Sequence, residues 1–181
     1  MSEIKPFKPL ESTTHYQGRA FDVRRDRVEL PDGAQTELDI VAHVGAVTIV
    51  PYHEGQVWFV RQYRHAAGLV LLELPAGTLE ADENPDHAAQ RELREEIGMG
   101  ALRVDKIGTF FLAPGYSTEH MHVYLATNLF AAPLESDADE FLEVVAYPLE
   151  EVWEMVANNA FDDAKTLAAL LLARPHFSSS Q

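Results

Sequence analysis

Through residue 77 the apolar positions of the chain favour strands. From His15 to about Val44 short runs alternate, with Phe21 and Val23 apolar in one and Val28 and Leu30 in the next. Pro31-Asp32-Gly33 is a turn sequence, and "TELDIVAHV" follows it as another strand. Residues 1–14 are polar and contain prolines, and are read as loosely ordered. "GAVTIVPY" (45–52) is almost continuously apolar and β-branched, the pattern of a buried strand. His53-Glu54-Gly55 reads as a hairpin turn, 56–64 as its return strand, and 70–77 as a further strand ending at Pro75 and Gly77. The pattern then turns helical. Asn84 is a suitable N-cap, Pro85 fits the first helical position, and Gly98 suits the residue past the end, which predicts a helix over 85–97. Strands are expected at 103–113, 121–129 and 140–149, and helices at 149–159 and 163–174. The last helix has an apolar face suited to packing on a sheet, and the residues after Pro175 read as a frayed tail. Strands, helix, strands, helices is the order of a mixed α/β sheet with helices packed against it.

Charge narrows the partners. With 14 Lys and Arg against 29 Asp and Glu, the net charge is −15, which argues against binding a nucleic-acid backbone or an anionic membrane surface. Small phosphate ligands stay allowed, because bound divalent cations invert local charge. The length of 181 residues suits a single domain with a sizeable core. There is no cysteine, so disulfides and thiolate metal sites are excluded. No apolar run reaches the roughly 18 residues of a membrane span, and "MSEIKPFKPL" lacks the apolar stretch of a secretory signal. A cytoplasmic protein is expected.

The predicted first helix carries a concentration of acid. Glu92, Glu95 and Glu96 are spaced i, i+3, i+4, so their carboxylates converge, and Glu83, Asp82 and Glu80 precede them. Leu93 and Ile97 form an adjoining apolar stripe. A solvated acidic face is the ordinary explanation for such a helix. Here the usual lysines are missing, and the helix follows a buried strand through the small-residue turn "PAGTLE". Hard oxygen ligands clustered at a sheet end suit Mg²⁺, Mn²⁺ or Ca²⁺.

"GTLEADENPDHAAQRELREEIGM" (77–99) resembles the signature of the Nudix hydrolases, with Gly77, Glu83, Arg91, Glu92, Leu93, Glu95, Glu96, Gly98 and Met99 at its fixed positions. The resemblance implies an α/β/α sandwich with a mixed sheet, and cleavage of a nucleoside diphosphate linked to another group with the help of divalent cations. It implies Glu92 and Glu96 as main metal ligands, Glu95 as ligand or polariser of a water, and the Ala76 carbonyl as a further ligand. Gly77, without a Cβ, would let backbone come close to the phosphate. Glu83 and Arg91 read as an orienting ion pair.

Outside the signature the chain resembles the ADP-ribose pyrophosphatase branch. Pro114 stands fifteen residues after Met99 in a Pro-Gly loop with Glu119 nearby, and "FVRQYRHAAG…LELPAG" supplies Arg61, Arg64 and Glu73. These five residues are the implied substrate contacts. Arg61 and Arg64 are three apart, so on a regular strand they point to opposite faces. Glu73 reads either as an acceptor for a ribose hydroxyl or as a paired structural carboxylate. In the acidic stretch 135–144, Glu140 takes the branch's loop-ligand position, and Ala138 stands where some members carry a second acid, which leaves the base open among Glu95, Glu96, Asp137 and Asp139.

The resulting expectation is a Mg²⁺-dependent (or Mn²⁺-dependent) enzyme converting ADP-ribose and water to AMP and ribose 5-phosphate. Its catalytic residues would be Glu92, Glu95, Glu96 and Glu140. GDP-mannose or another nucleotide sugar is the competing substrate, and a non-catalytic ADP-ribose sensor the competing class. The expected organisation is a small antiparallel β-region at 1–44, pairing two subunits in a homodimer, ahead of a hydrolase domain at 45–181.

Overall fold

The structure, a computed structural model, describes residues 4–135 and 141–177. It divides into two compact units. One holds the N-terminal strands through Gly45 together with Phe111–His120; the other holds Ala46–Phe110 and the chain from Met121 onward.

The first unit is a three-stranded antiparallel sheet of β1 (Lys8–Gln17), β2 (Asp22–Glu29) and β3 (Gln35–Ala42), in that order. Its β2–β3 turn is the Pro-Asp-Gly sequence. The Gly33 N–H donates to the Leu30 carbonyl at 3.0 Å, and Gly33 takes φ 85°, which only glycine adopts at little cost. Strand β1 corrects the expectation that residues 1–14 are loosely ordered. Its ten residues are all exposed, so no buried alternation marks it in the sequence. Backbone pairing to β2 holds it instead, helped by Arg27–Glu11 at 2.8 Å and the Ser12 hydroxyl donating to Asp26 at 2.6 Å. Pro9, which cannot donate, sits at a register shift in this edge strand. The segment 111–120 is bonded to the end of β3. The Val41 N–H donates to the Tyr116 carbonyl (2.8 Å), and the Thr118 N–H donates to the Val41 carbonyl (3.0 Å).

The second unit is a seven-stranded mixed sheet between helices. Its strands are β4 (Ala46–His53), β5 (Gln56–Arg64), β6 (Leu69–Glu73), β7 (Ala76–Thr78), β8 (Met99–Phe111), β9 (His120–Ala131) and β10 (Leu142–Pro148). The order is β10-β5-β4-β9-β8, with β6 on β5 and β7 on β4. β4 and β9 run parallel, and the other registered pairs are antiparallel. Helix α1 (Pro85–Glu96) covers one face, packing Ala88, Ala89 and Leu93 into one core with Val47, Ile49, Val60 and Tyr124. Helices α2 (Leu149–Ala157) and α3 (Ala164–Phe177) cover the other over Val50, Val57, Phe59, Leu74, Val123 and Leu125. Strand β4 feeds both cores from alternate residues, which is why its sequence is apolar without a break.

β8 begins four residues before its expected start at 103. Gly98, at φ 71°, reverses the chain straight out of α1, and its carbonyl accepts from the Ala132 N–H at 3.0 Å beside the end of β9. At the other end, α3 continues three residues past 174 and through Pro175. Phe177 packs against Tyr52, with ring centroids 4.9 Å apart, and this contact holds the last turn although Pro175 cannot donate its helical bond.

One crossing positions the acidic helix. β6 pairs with β5 through Glu73, opposite Val60; β7 then pairs with β4, with Ala76 opposite Thr48. Leu74 and Pro75 carry the chain from one neighbour to the other. The Pro75 carbonyl accepts from the Ile49 N–H at 2.9 Å and the Thr48 hydroxyl at 3.3 Å. That step sets Ala76 and Gly77 against α1.

Candidate active site

Helix α1 is fixed at both ends as its sequence requires. The Asn84 side chain accepts from the Asp86 N–H at 2.8 Å, and Pro85 opens the first turn. Tyr124 on β9 donates its hydroxyl to Asp86 at 2.7 Å, and burial together with this bond raises the phenol's pKa. Leu93 and Ala89 are fully buried beneath the helix.

This anchoring turns two of the three signature glutamates inward. Glu92 and Glu96, one turn apart, are each only 6% exposed. Glu96 accepts from the Ala76 N–H at 3.1 Å. A Cβ built on Gly77 would lie 1.8 Å from the Glu92 Oε1 and 2.0 Å from its Cδ, so the absent side chain makes room for the Glu92 carboxylate.

Arg91 ties the acids together. It forms a bidentate pair with Glu83 (Nε–Oε1 2.9 Å, Nη2–Oε2 2.8 Å), and its Nη1 donates to Glu92 at 2.7 Å and to Glu95 at 2.9 Å. The hydrogen bond to Glu83, then the charges and bonds of Glu92 and Glu95, raise the Arg91 pKa; Glu83 is lowered in return. Among the described residues no three His, Asp or Glu side chains are gathered as they stand into a metal-holding cluster. The donor set nonetheless fits a hard divalent cation: two buried carboxylates, a third beside them, and a glycine in place of a side chain that would fill the same space.

A second charged group lies in the same unit. Arg64, at the end of β5, holds Glu73 through two bonds of 2.7 and 2.8 Å. Glu73 is 1% exposed and also receives the Lys165 ammonium. Lys165 donates to Asp163 at 2.9 Å, and Asp163 caps α3 by accepting the Thr166 N–H at 3.0 Å. Burial pushes the Glu73 carboxyl up, but the bonds from Arg64 and the charge of Lys165 outweigh it and hold the group below its ordinary value. Arg64 is raised first by its bond to Glu73, and Glu96 and Asp163 also act on it through their charges, which joins this group electrostatically to the signature acids.

Of the alternatives left open for Glu73, the geometry is that of a paired carboxylate. Arg61 sits apart from this group, bonded to Glu143 of β10 at 2.8 Å with both side chains exposed. Pro114 and Glu119 belong to the other unit. There the Tyr116 and Ser117 N–H groups close the Pro-Gly turn on the Ala113 carbonyl at 3.1 and 2.9 Å, and the Glu119 carbonyl accepts from the Leu112 N–H at 3.1 Å. Glu140, Ala138, Asp137 and Asp139 lie outside the described residues. Sequence reasoning missed Lys165, Asp163 and Thr166. Nothing local in "DDAKT" shows that the lysine turns back to a strand ninety-two positions earlier.

A NUDIX domain model matches residues 42–170. The chain belongs to the Nudix family. Among its Nudix relatives, an ADP-ribose pyrophosphatase of Bacillus subtilis (strain 168) is 38% identical over 158 residues, covering 86% of this chain and 85% of that protein. A methanol dehydrogenase activator of Bacillus methanolicus is 33% identical and covers 94% of both. A crystal structure of an ADP compounds hydrolase superposes with TM-score 0.86 at 26% identity, over 98% of this chain and 97% of that one.

Proposed function

We propose that this Nudix chain is a divalent-metal-dependent pyrophosphohydrolase that converts ADP-ribose and water to AMP and ribose 5-phosphate. The observation that carries the reading is the pair of buried carboxylates, Glu92 and Glu96, with a glycine at 77 that leaves room for the first of them. Burying two acids a turn apart is costly, and packing alone does not offset it. Arg91 serves Glu83, Glu92 and Glu95 at once, and a divalent cation would balance the charge it leaves. The names of two relatives, an ADP-ribose pyrophosphatase and an ADP compounds hydrolase, support an adenosine diphosphate-linked substrate.

Glu92, Glu96, Glu95, the Ala76 carbonyl and Glu140 would hold Mg²⁺ or Mn²⁺. When bound, such ions acidify a water and offset the charge of the diphosphate. The chain's own groups do the rest. Glu95 or Glu96 orients the attacking water and takes its proton. The water oxygen bonds to one phosphorus as the bridging P–O bond breaks, and the bridging oxygen leaves with the other phosphate. Arg64, oriented by Glu73, offers its remaining N–H groups to a phosphate oxygen, and Arg61 serves as a further cation. For Pro114 and Glu119 a substrate role rests on the sequence resemblance alone.

The same reading takes residues 1–44 as a dimerising region and 45–181 as the hydrolase domain. Phe7, Leu10, Tyr16 and Phe21 are exposed in the first unit, which supports a covered face there. It places the protein in the cytoplasm, with no nucleic-acid or membrane partner; the charge of −15 supports this, and no described helix is long and apolar enough to cross a membrane.

Glu92→Gln and Glu96→Gln test the site, since each removes a charge and keeps the shape. Each is expected to lower kcat by at least about 100-fold at saturating Mg²⁺, with the circular dichroism spectrum unchanged. Turnover near wild type in either variant would sink the assignment.

A further inference from the structure

We propose that Lys165 is a positioning residue of this site, whose charge offsets Glu73 and so leaves the guanidinium of Arg64 free to attract a substrate anion. The inference rests on the reading of Arg64 as a phosphate contact.

An arginine bonded bidentately to a carboxylate has its direction fixed, but the pair as a whole is neutral and attracts a phosphate only weakly. Here the carboxylate carries a second cation, Lys165, which is itself paired with Asp163; the four groups balance, and losing the ammonium alone would leave them one charge negative. Glu73 is 1% exposed and receives both Arg64 and Lys165, while the Lys165 side chain is 12% exposed and that of Arg64 42%. The buried members are therefore Glu73 and Lys165, and the member left open to a ligand is Arg64. Arg64 spends Nε and one N–H of Nη2 on Glu73. Both N–H groups of Nη1 and the second of Nη2 remain.

The placement of Lys165 runs against the dipole of its own helix. It lies in the first turn of α3, where the positive end of the helix dipole disfavours an ammonium. Its second partner, Asp163, also serves as the cap, accepting the N–H of Thr166 at 3.0 Å and its hydroxyl at 2.6 Å. The Thr166 hydroxyl in turn accepts the Leu74 N–H at 2.9 Å, next to Glu73 on the crossing between β6 and β7. Helix α3 is thus keyed to the strand that bears Glu73, and the key sets where the ammonium sits. Arg64 also feels the charges of Glu96 and Asp163, so without the ammonium the carboxylates around it would outnumber the cations.

The test is steady-state kinetics with ADP-ribose and Mg²⁺ on wild type, K165M, K165R, E73Q and E73Q/K165M, with thermal unfolding of each. K165M is expected to raise KM by at least about tenfold while changing kcat less than about threefold, because the lost attraction acts on the bound substrate and transition state alike. K165R restores the charge and should recover most of the loss. E73Q/K165M removes both charges, releases Arg64 again, and should bind substrate more tightly than K165M. Should K165M not fold, E73Q and E73Q/K165M, neither of which buries the Glu73 charge, carry the comparison, with KM expected at least about threefold lower in E73Q, which keeps the ammonium, than in the double variant. A lowered melting temperature with unchanged KM in K165M would reduce Lys165 to a helix anchor and overturn the proposal. So would equal KM values in E73Q and E73Q/K165M. If wild type itself fails to hydrolyse ADP-ribose, the functional reading falls instead.

Discussion

Gly77 is the residue where backbone and chemistry meet most tightly. It is not among the positions of positive φ, so alanine meets no backbone strain there. Its new methyl would instead overlap the end of the Glu92 side chain, 1.8 Å from Oε1. A side-chain end can swing away cheaply, so Gly77→Ala should leave the melting temperature within a few degrees of wild type. The displaced carboxylate is the loss. Since a displacement of about 1 Å can cost roughly a hundredfold in rate, kcat should fall by about that factor. Equal kcat in the two proteins would mean that the position of Glu92 does not matter to the reaction. The inward turn of Glu92 and Glu96 was legible in the sequence, because capping at Asn84 and the stripe of Leu93 fix the rotation of the helix. The role of Lys165 was not, because an ammonium reaching back to a strand leaves no periodic trace.

Between elements, three ion pairs on two carboxylates fasten the site to its frame: Glu83–Arg91 ties the loop before α1 to the helix, and Glu73 ties β6 to β5 through Arg64 and to α3 through Lys165. Both carboxyls are lowered in the folded protein. As pH falls, the unfolded chain takes up protons near the ordinary carboxylate value of about 4.3 while the native pairs still resist. The stability these pairs give is therefore complete above that value and lost as pH drops through the lowered native pKa. Glu83→Gln should lower the unfolding free energy by about 1 kcal/mol at pH 7, measured in urea, with the gap to wild type narrowing as pH falls below the ordinary carboxylate value. A constant gap across that range would show that the pair contributes nothing through its charge. Elements marked by period were read well from sequence: β4, β5 and α1 lie within a residue or two of their expected bounds. β1 was missed because it buries nothing, and the extra turn of α3 because Pro175 reads as a stop until Phe177 finds Tyr52.

At the scale of the molecule, the N-terminal strands form a unit with Phe111–His120. Backbone bonds from Val41 and a threonine hydroxyl on His43 make that union, and such bonds imprint no pattern on either segment. The exposed apolar residues of this unit underlie the proposed dimer. Light scattering at micromolar concentration should give twice the chain mass, and a monomer there would leave Phe7, Leu10 and Tyr16 without the partner assigned to them. The central claim, hydrolysis of a diphosphate bond to an adenosine-linked sugar phosphate, is tested most directly by one substrate panel. ADP-ribose, GDP-mannose, ADP-glucose, NADH and diadenosine polyphosphates would each be incubated with the protein and Mg²⁺ or Mn²⁺, and the products resolved by chromatography. The account predicts that ADP-ribose is consumed fastest, giving AMP and ribose 5-phosphate in equal amounts, only with the metal present and not in Glu96→Gln. Preferred cleavage of GDP-mannose would contradict the adenine assignment, and no cleavage of any compound with either metal would contradict the function itself.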